Sequence, residues 1–386
     1  MAMVLLPSIM FAQNHWKVAN IDALIDARSE SAIEMPTKYQ TLSLDHEAMQ
    51  NQLWEAEPVE DLAAPITIFV MNPNGELEYF DVWEEQTFSE ELAAEYSDMI
   101  KTFSGMKVGQ PEVHIRASMS QIGFYATVFE PHNSYMIEPI SNLDELYYMS
   151  YFKQDYVSSP IHCMAKEHVS NYPPSQAENP TFLRQFKLVY VPTGEFSEQF
   201  GVVPPGSGGT PTIANVQASI ATSVNIANGV YKRDVGVQFS NNTPNSLVFL
   251  SPNTDPYDPN NSNAMLTTNQ TQVDNAVGNA NYDIGHVIAF GNFGGVAVAA
   301  TCETGFKAQG YSSGDTPLQQ ITIDYFCHEA GHQLGANHTF SAQSCGTSVA
   351  GNRYEPGEGT SIMAYAGVCD QQDRIQNQSD PFFSWP

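Results

Sequence analysis

Hydrophobic and polar residues alternate in short runs over the first part of the chain. Ile66-Thr67-Ile68-Phe69-Val70 and Gly123-Phe124-Tyr125-Ala126-Thr127-Val128-Phe129 read as strands, with Asn72-Pro73-Asn74-Gly75 as a turn. Ser89 to Phe103 predicts an amphipathic helix. Together these elements describe an α+β domain over residues 14–155. Further on, Phe186 to Val191 predicts a strand, Val203 to Thr210 a Gly/Pro-rich loop, and Pro211 the start of a helix reaching Asn228 with Thr210 as its cap. Extended runs follow at Val235 to Phe239 and Ser246 to Leu250, then a helix near Asn263 to Val277 and a buried strand at Asp283 to Ile288. Near the end, Leu318, Ile321 and Tyr325 fall on one helical stripe with His328 and His332, while Ile323, Phe326, Ala330 and Leu334 fill another. That double stripe predicts a buried helix.

The polar positions of this last helix carry the chemistry. His328 and His332 lie four apart, so their imidazoles project from one face and can converge on one metal ion. Gly335 stands where a helix needs a residue tolerant of positive φ in order to stop, and the reversed chain brings His338 to the same ion. Three neutral nitrogen ligands leave a zinc ion one open position, which marks a catalytic site. Glu329, beside that position, is the natural general base for a water held there. The pattern HExxHxxGxxH therefore points to hydrolysis of a peptide bond, with one catalytic Zn²⁺.

Ser361-Ile362-Met363-Ala364-Tyr365 resembles the Met-turn of the metzincin metallopeptidases, in which a methionine forms a floor beneath the zinc. Asn337-His338-Thr339-Phe340, Glu355-Pro356-Gly357 and Ile362-Met363-Ala364-Tyr365-Ala366-Gly367 are most similar to the bacterial reprolysin-like group. Thr339 departs from animal reprolysins, which usually have Asp there. The resemblance covers residues 182–386 and implies a metzincin-like α/β (α+β) catalytic domain with a mixed twisted sheet and an active-site helix. It assigns Met363 to the Met-turn and gives Tyr365 a role at the oxyanion, as in astacins and serralysins. It also makes Gly294, Gly295, Val296 and Ala297 the rim strand that pairs with an extended protein or peptide substrate. His286, nearby, is read as a structural histidine, since three ligands are already supplied.

The resemblance further implies that the N-terminal α+β domain is prodomain-like, with residues 156–181 as the linker where cleavage falls. Five cysteines are present, and Cys302, Cys327, Cys345 and Cys369 suffice for two disulfides, the first pairing expected being Cys345 with Cys369. Cys163 is left beside the domain boundary as a candidate latency ligand for the open zinc position.

Composition narrows the partners. With 43 acidic against 15 basic residues, a net charge of −28, the chain repels phosphate backbones, which excludes nucleic acid as a partner. An apolar run within residues 1–13 reads as a truncated signal peptide, and no segment is long and apolar enough for a transmembrane helix. The loop with Asp255 and Asp258 offers oxygens of the type calcium takes, but its spacing fits no compact calcium loop, so calcium is unsupported. The chain is expected to stop short of the final helix that related enzymes keep. The reading is a secreted, extracellular bacterial zinc metalloendopeptidase made as a latent precursor. The competing reading is a catalytically retired metzincin-fold adhesin or binding module, which the intact Glu329 and three histidines disfavour.

Overall fold

Gly123–Phe129 shows how the two halves of the protein are joined: all seven of its residues are buried, although alternate side chains of a strand point to opposite faces. Phe124, Ala126 and Val128 pack into one hydrophobic cluster, Tyr125 and Phe129 into another. Both faces of this strand are therefore covered. The structure is a computed structural model that describes residues 13–21, 33–157, 163 and 183–384, apart from positions 62, 132, 142, 144–145, 259–260, 292–293, 300–301 and 347.

The N-terminal domain is a nine-stranded antiparallel sheet. Its strands are β1 (Trp16–Val18), β2 (Gln40–Leu44), β3 (Ile66–Met71), β4 (Leu77–Glu84), β5 (Lys101–Lys107), β6 (Gln110–Ser120), β7 (Gly123–Phe129), β8 (Tyr135–Pro139) and β9 (Tyr148–Phe152), in the order β1-β2-β9-β8-β7-β6-β5-β4-β3. The run β3 to β9 is a meander of neighbouring antiparallel strands. Helix α1 (His46–Leu53) buries Met49 and Leu53 against one face of the sheet. The expected helix over Ser89 to Phe103 is half right. Ser89 caps a short α2 (Glu90–Tyr96), and from Lys101 the chain becomes β5, held between β4 and β6. Pairing on both sides overrides the helical spacing there.

The second half contains a five-stranded sheet of β10 (Arg184–Pro192), β11 (Val237–Asn241), β12 (Ile284–Phe290), β13 (Gly294–Ala297) and β14 (Gly310–Gly314) in the order β11-β10-β12-β14-β13. All pairs are parallel except β13 with β14, which leaves antiparallel β13 as an edge strand. Helices α3 (Gly194–Phe200), α4 (Ile213–Val235) and α5 (Ser262–Ala276) pack around it. Residues Asn215 to Tyr231 of α4 are buried without a break, because this helix lies between the two sheets. Its cap is Thr212, whose Oγ1 accepts from Asn215 N at 3.2 Å, and not Thr210; it continues past Asn228 to the left-handed Gly236. Ser246 to Leu250 forms no strand: a 3₁₀ turn, Asn245–Leu247, lies there.

The active-site helix, α6, begins with Leu318–Gln320, passes through a π-helical segment Ile321–Phe326 and ends with α-helical Cys327–Gln333. The double apolar stripe of the sequence does mark a wholly buried helix. The π segment was not legible in it, and such segments gather at functional sites. Among the described residues no helix is long and apolar enough to cross a membrane. The signal-peptide reading and most of the 156–181 linker lie outside the described residues.

Candidate metal centre

The helix stops as its sequence requires. Leu334 N donates to Ala330 O, Gly335 N to His332 O and Ala336 N to Gly331 O, and Gly335 takes φ 95°. This reversal carries His338 back across the end of the helix. His332 Nε2 then lies 3.2 Å from His328 Nε2 and 3.1 Å from His338 Nε2.

The orientation of the rings tests whether a metal fits. His328 Nδ1 is 2.6 Å from Ile362 O and His332 Nδ1 is 2.8 Å from Ala336 O, so each Nδ1 carries the proton and donates it to a carbonyl. The Nε2 lone pairs are thereby turned toward one another, a repulsive arrangement unless a cation sits among them. Burial, with His338 adding to it, lowers the His328 pKa to about 3, and burial likewise holds His332 well below its usual range. Both are neutral, the form that ligates. Three imidazoles suit Zn²⁺.

Cys163 completes the group. Its Sγ and one nitrogen from each of His328, His332 and His338 all lie within 4.8 Å of one another. Its backbone bridges Gly295 of β13 in the parallel sense, and its carbonyl accepts from the Tyr365 hydroxyl at 3.2 Å. The sequence placed Cys163 near the boundary; the fold brings it from outside the metzincin-like segment to the three histidines.

Glu329 is buried, and neither of its carboxylate oxygens accepts a conventional hydrogen bond. Burial raises its carboxyl to about 8; the Cys163 side chain opposes the rise, though weakly, because a thiol is a poor donor. A buried carboxylate without a conventional partner is an exception that a site, not the fold, accounts for.

The supporting shell is legible only in part. Met363 lies under the helix, with its Sδ 2.5 Å from where a Cβ of Gly331 would fall, and its carbonyl accepts from Thr339 N. Tyr365 stacks on Phe340 at 4.7 Å and meets the His338 ring edge-on at 4.5 Å. Glu355, which sequence reasoning noted only as part of a flanking motif, is a hub. It accepts from Thr339 Oγ1 at 2.5 Å, Ser384 Oγ at 2.5 Å, Thr360 N at 2.8 Å and Ser361 N at 3.1 Å, tying the His338 loop to the Met-turn. Its carboxyl is held below the usual range although burial alone would raise it, because these donors outweigh burial.

Other expectations sort as follows. His286 is no ligand: its ring bridges Gln333 Oε1 at 2.7 Å and Ser312 Oγ at 2.8 Å, securing the helix to the sheet. Gly294 to Ala297 form the edge strand β13. Cys345 and Cys369 form the expected disulfide, while Cys302 and Cys327 do not pair, Cys302 being exposed and Cys327 buried in the active-site helix. That second bridge is corrected. Asp255 accepts from Gly194 N and Tyr257 N, so its oxygens serve the backbone of the loop.

Residues 206–384 match the family described as Metallo-peptidase family M12B Reprolysin-like. No curated protein matches. Among solved structures, metalloproteinase-II from Bacteroides fragilis is similar over 89% of this chain and 93% of its own, at 12% identity and a TM-score of 0.47. Residues 206–384, somewhat under half of the chain, thus resemble the reprolysin-like metallopeptidases and hold the histidine cluster of a zinc metalloendopeptidase.

Proposed function

We propose that this chain is an exported endopeptidase that uses Glu329 as its general base and is made latent by Cys163. The observation that carries the proposal is the Cys163 thiol standing among His328, His332 and His338, directly beside the orphaned Glu329 carboxylate.

His328, His332 and His338 would hold the metal. Zinc bound there supplies an electrophile for the scissile carbonyl and makes water a usable nucleophile near neutral pH. An extended substrate lies along β13, where Cys163 now bridges Gly295, and hydrogen-bonds to the strand's main chain. Glu329 takes a proton from the attacking water and returns it to the departing amine nitrogen as the C–N bond breaks. The Tyr365 hydroxyl, now donated to the Cys163 carbonyl, is released with that segment to donate to the developing oxyanion. Met363 packs beneath the ligand helix, and Glu355 fixes the loop that presents His338.

Latency follows from occupancy. Cys163, beside the histidines and bridged to Gly295 of the edge strand, would block both the open ligand position and the substrate's strand-pairing edge, and cleavage within residues 156–181 would free them. The test is cleavage of casein by the purified full chain before and after limited proteolysis in that segment, with a chelator control. Activity that appears on nicking and disappears with chelator supports the proposal. An uncut chain as active as the nicked one contradicts latency, and no cleavage in either state contradicts the activity.

A further inference from the structure

The contacts between the two halves differ in kind from the Cys163 contact. Asp324, four residues before His328 in the π-helical segment of α6, is buried, and its partner is Lys153 of the N-terminal domain, 2.7 Å away with both side chains almost wholly enclosed. Its second oxygen has no hydrogen-bond partner, and the charge that Asp380 adds nearby is negative. Withdrawal of Lys153 would strand a carboxylate inside the active-site helix. Gln319, at the start of the same helix, spends both ends of its side chain on the N-terminal domain. It accepts from Thr127 Oγ1 at 2.5 Å and donates to Ile137 O at 2.9 Å.

Helix α4 makes the same commitment. Asn225 Nδ2 donates to Ala117 O at 2.8 Å and Phe103 O at 3.2 Å, and Thr222 pairs with Ser118 at 2.7 Å, all buried. Gly229 approaches the N-terminal sheet so closely that a Cβ there would stand 2.7 Å from the Phe129 ring and 2.8 Å from Arg116. A single hydrophobic cluster runs from Tyr125, Phe129, Met136 and Tyr151 of one half to Val224 and Phe326 of the other. Domains that part readily meet through smaller, more polar surfaces.

The contacts on α4 and on the start of α6 are separate from the Cys163 contact, which lies on the β13 edge strand. Phe88 of the N-terminal domain bridges Asn241 at the β11 edge, whereas Cys163 bridges Gly295 at the β13 edge. One can leave without the other. We infer that the N-terminal domain is not shed when the enzyme is activated: it stays as a permanent non-covalent subunit that holds the active-site helix, and only the segment around Cys163 is lost. This inference rests on the latency reading above, with the connection and not the domain as the inhibitor.

The experiment places a specific protease site on each side of Cys163, within residues 158–162 and 164–182 of the full chain, excises the segment and runs the product on size exclusion with mass spectrometry of each peak. The expected result is co-elution of residues 1–157 with 183–386, near the volume of the uncut chain, with casein cleavage in that peak. Co-elution should survive at least a tenfold dilution, persist in Lys153→Arg and be lost in excised Lys153→Met. Elution of the two pieces apart in the excised wild-type protein, whatever the state of the C-terminal piece, overturns the inference. Because elution is read independently of turnover, co-elution without casein cleavage would contradict the proposed activity while leaving the subunit inference standing.

Discussion

Gly295 of the edge strand β13 faces the Glu329 carboxylate so closely that the space a Cβ would fill is already occupied by Glu329 side-chain atoms. Strand β13 and the Glu329 carboxylate are thus packed directly on each other. Gly295→Ala is predicted to displace Glu329 and to lower kcat by roughly tenfold to a hundredfold, since small misplacements of a catalytic group cost that much. Zinc content by mass spectrometry should stay at one ion per chain. Unchanged kcat would show that the carboxylate has room to move without loss.

Cys163→Ala removes the thiol from the histidine cluster but leaves the connection uncut. The intact variant should cleave casein without prior proteolysis, at a rate well above that of the intact wild type. An intact variant as silent as wild type would place latency in the backbone pairing of the segment and not in the thiol.

Tyr365 stands with its ring against His338 and its hydroxyl on the Cys163 carbonyl. Tyr365→Phe keeps the ring and deletes the hydroxyl. After excision of the latency segment, kcat should fall by roughly tenfold or more while zinc content and KM change little, as for loss of an interaction made in the transition state. A change confined to KM would assign Tyr365 to substrate binding instead.

Glu85 joins the halves electrostatically, 2.8 Å from Arg116 and paired also with Lys232 of α4. Burial alone would raise its carboxyl, but the two cations outweigh burial and bring it to about 2. Because the folded pKa lies below the ordinary carboxylate value, the stabilisation is fully present above about pH 4.5 and is lost as the pH falls toward 2, with an upper size of about 3 kcal/mol. Urea unfolding midpoints of the full chain should therefore drop more steeply between pH 6 and pH 3 in the wild type than in Glu85→Gln. Equal slopes would mean that the pair is screened.

The zinc motif was legible because its geometry is local. His328 and His332 need only the helical repeat, and His338 needs only the turn that Gly335 permits. The disulfide between Cys345 and Cys369 was likewise within reach of chain proximity to the Met-turn. Features that depend on distant pairing were not legible. Lys101 to Phe103 carry helical spacing yet become β5, because β4 and β6 satisfy their backbone from both sides. Lys153 and Asp324 meet across 171 positions of sequence, and nothing in either neighbourhood announces the other. Glu355 shows its role only when Thr339, Thr360, Ser361 and Ser384 are folded around it. Such hubs need the tertiary structure because their donors are scattered along the chain.

The account turns on Glu329, and the most direct measurement compares wild type with Glu329→Gln, each freed of the Cys163 segment, for zinc content and casein cleavage. Gln keeps the size of the side chain and cannot take the proton. Both proteins should hold one zinc ion, with turnover in the variant lower by at least about a hundredfold. A variant that holds zinc and cleaves at the wild-type rate would contradict the central claim.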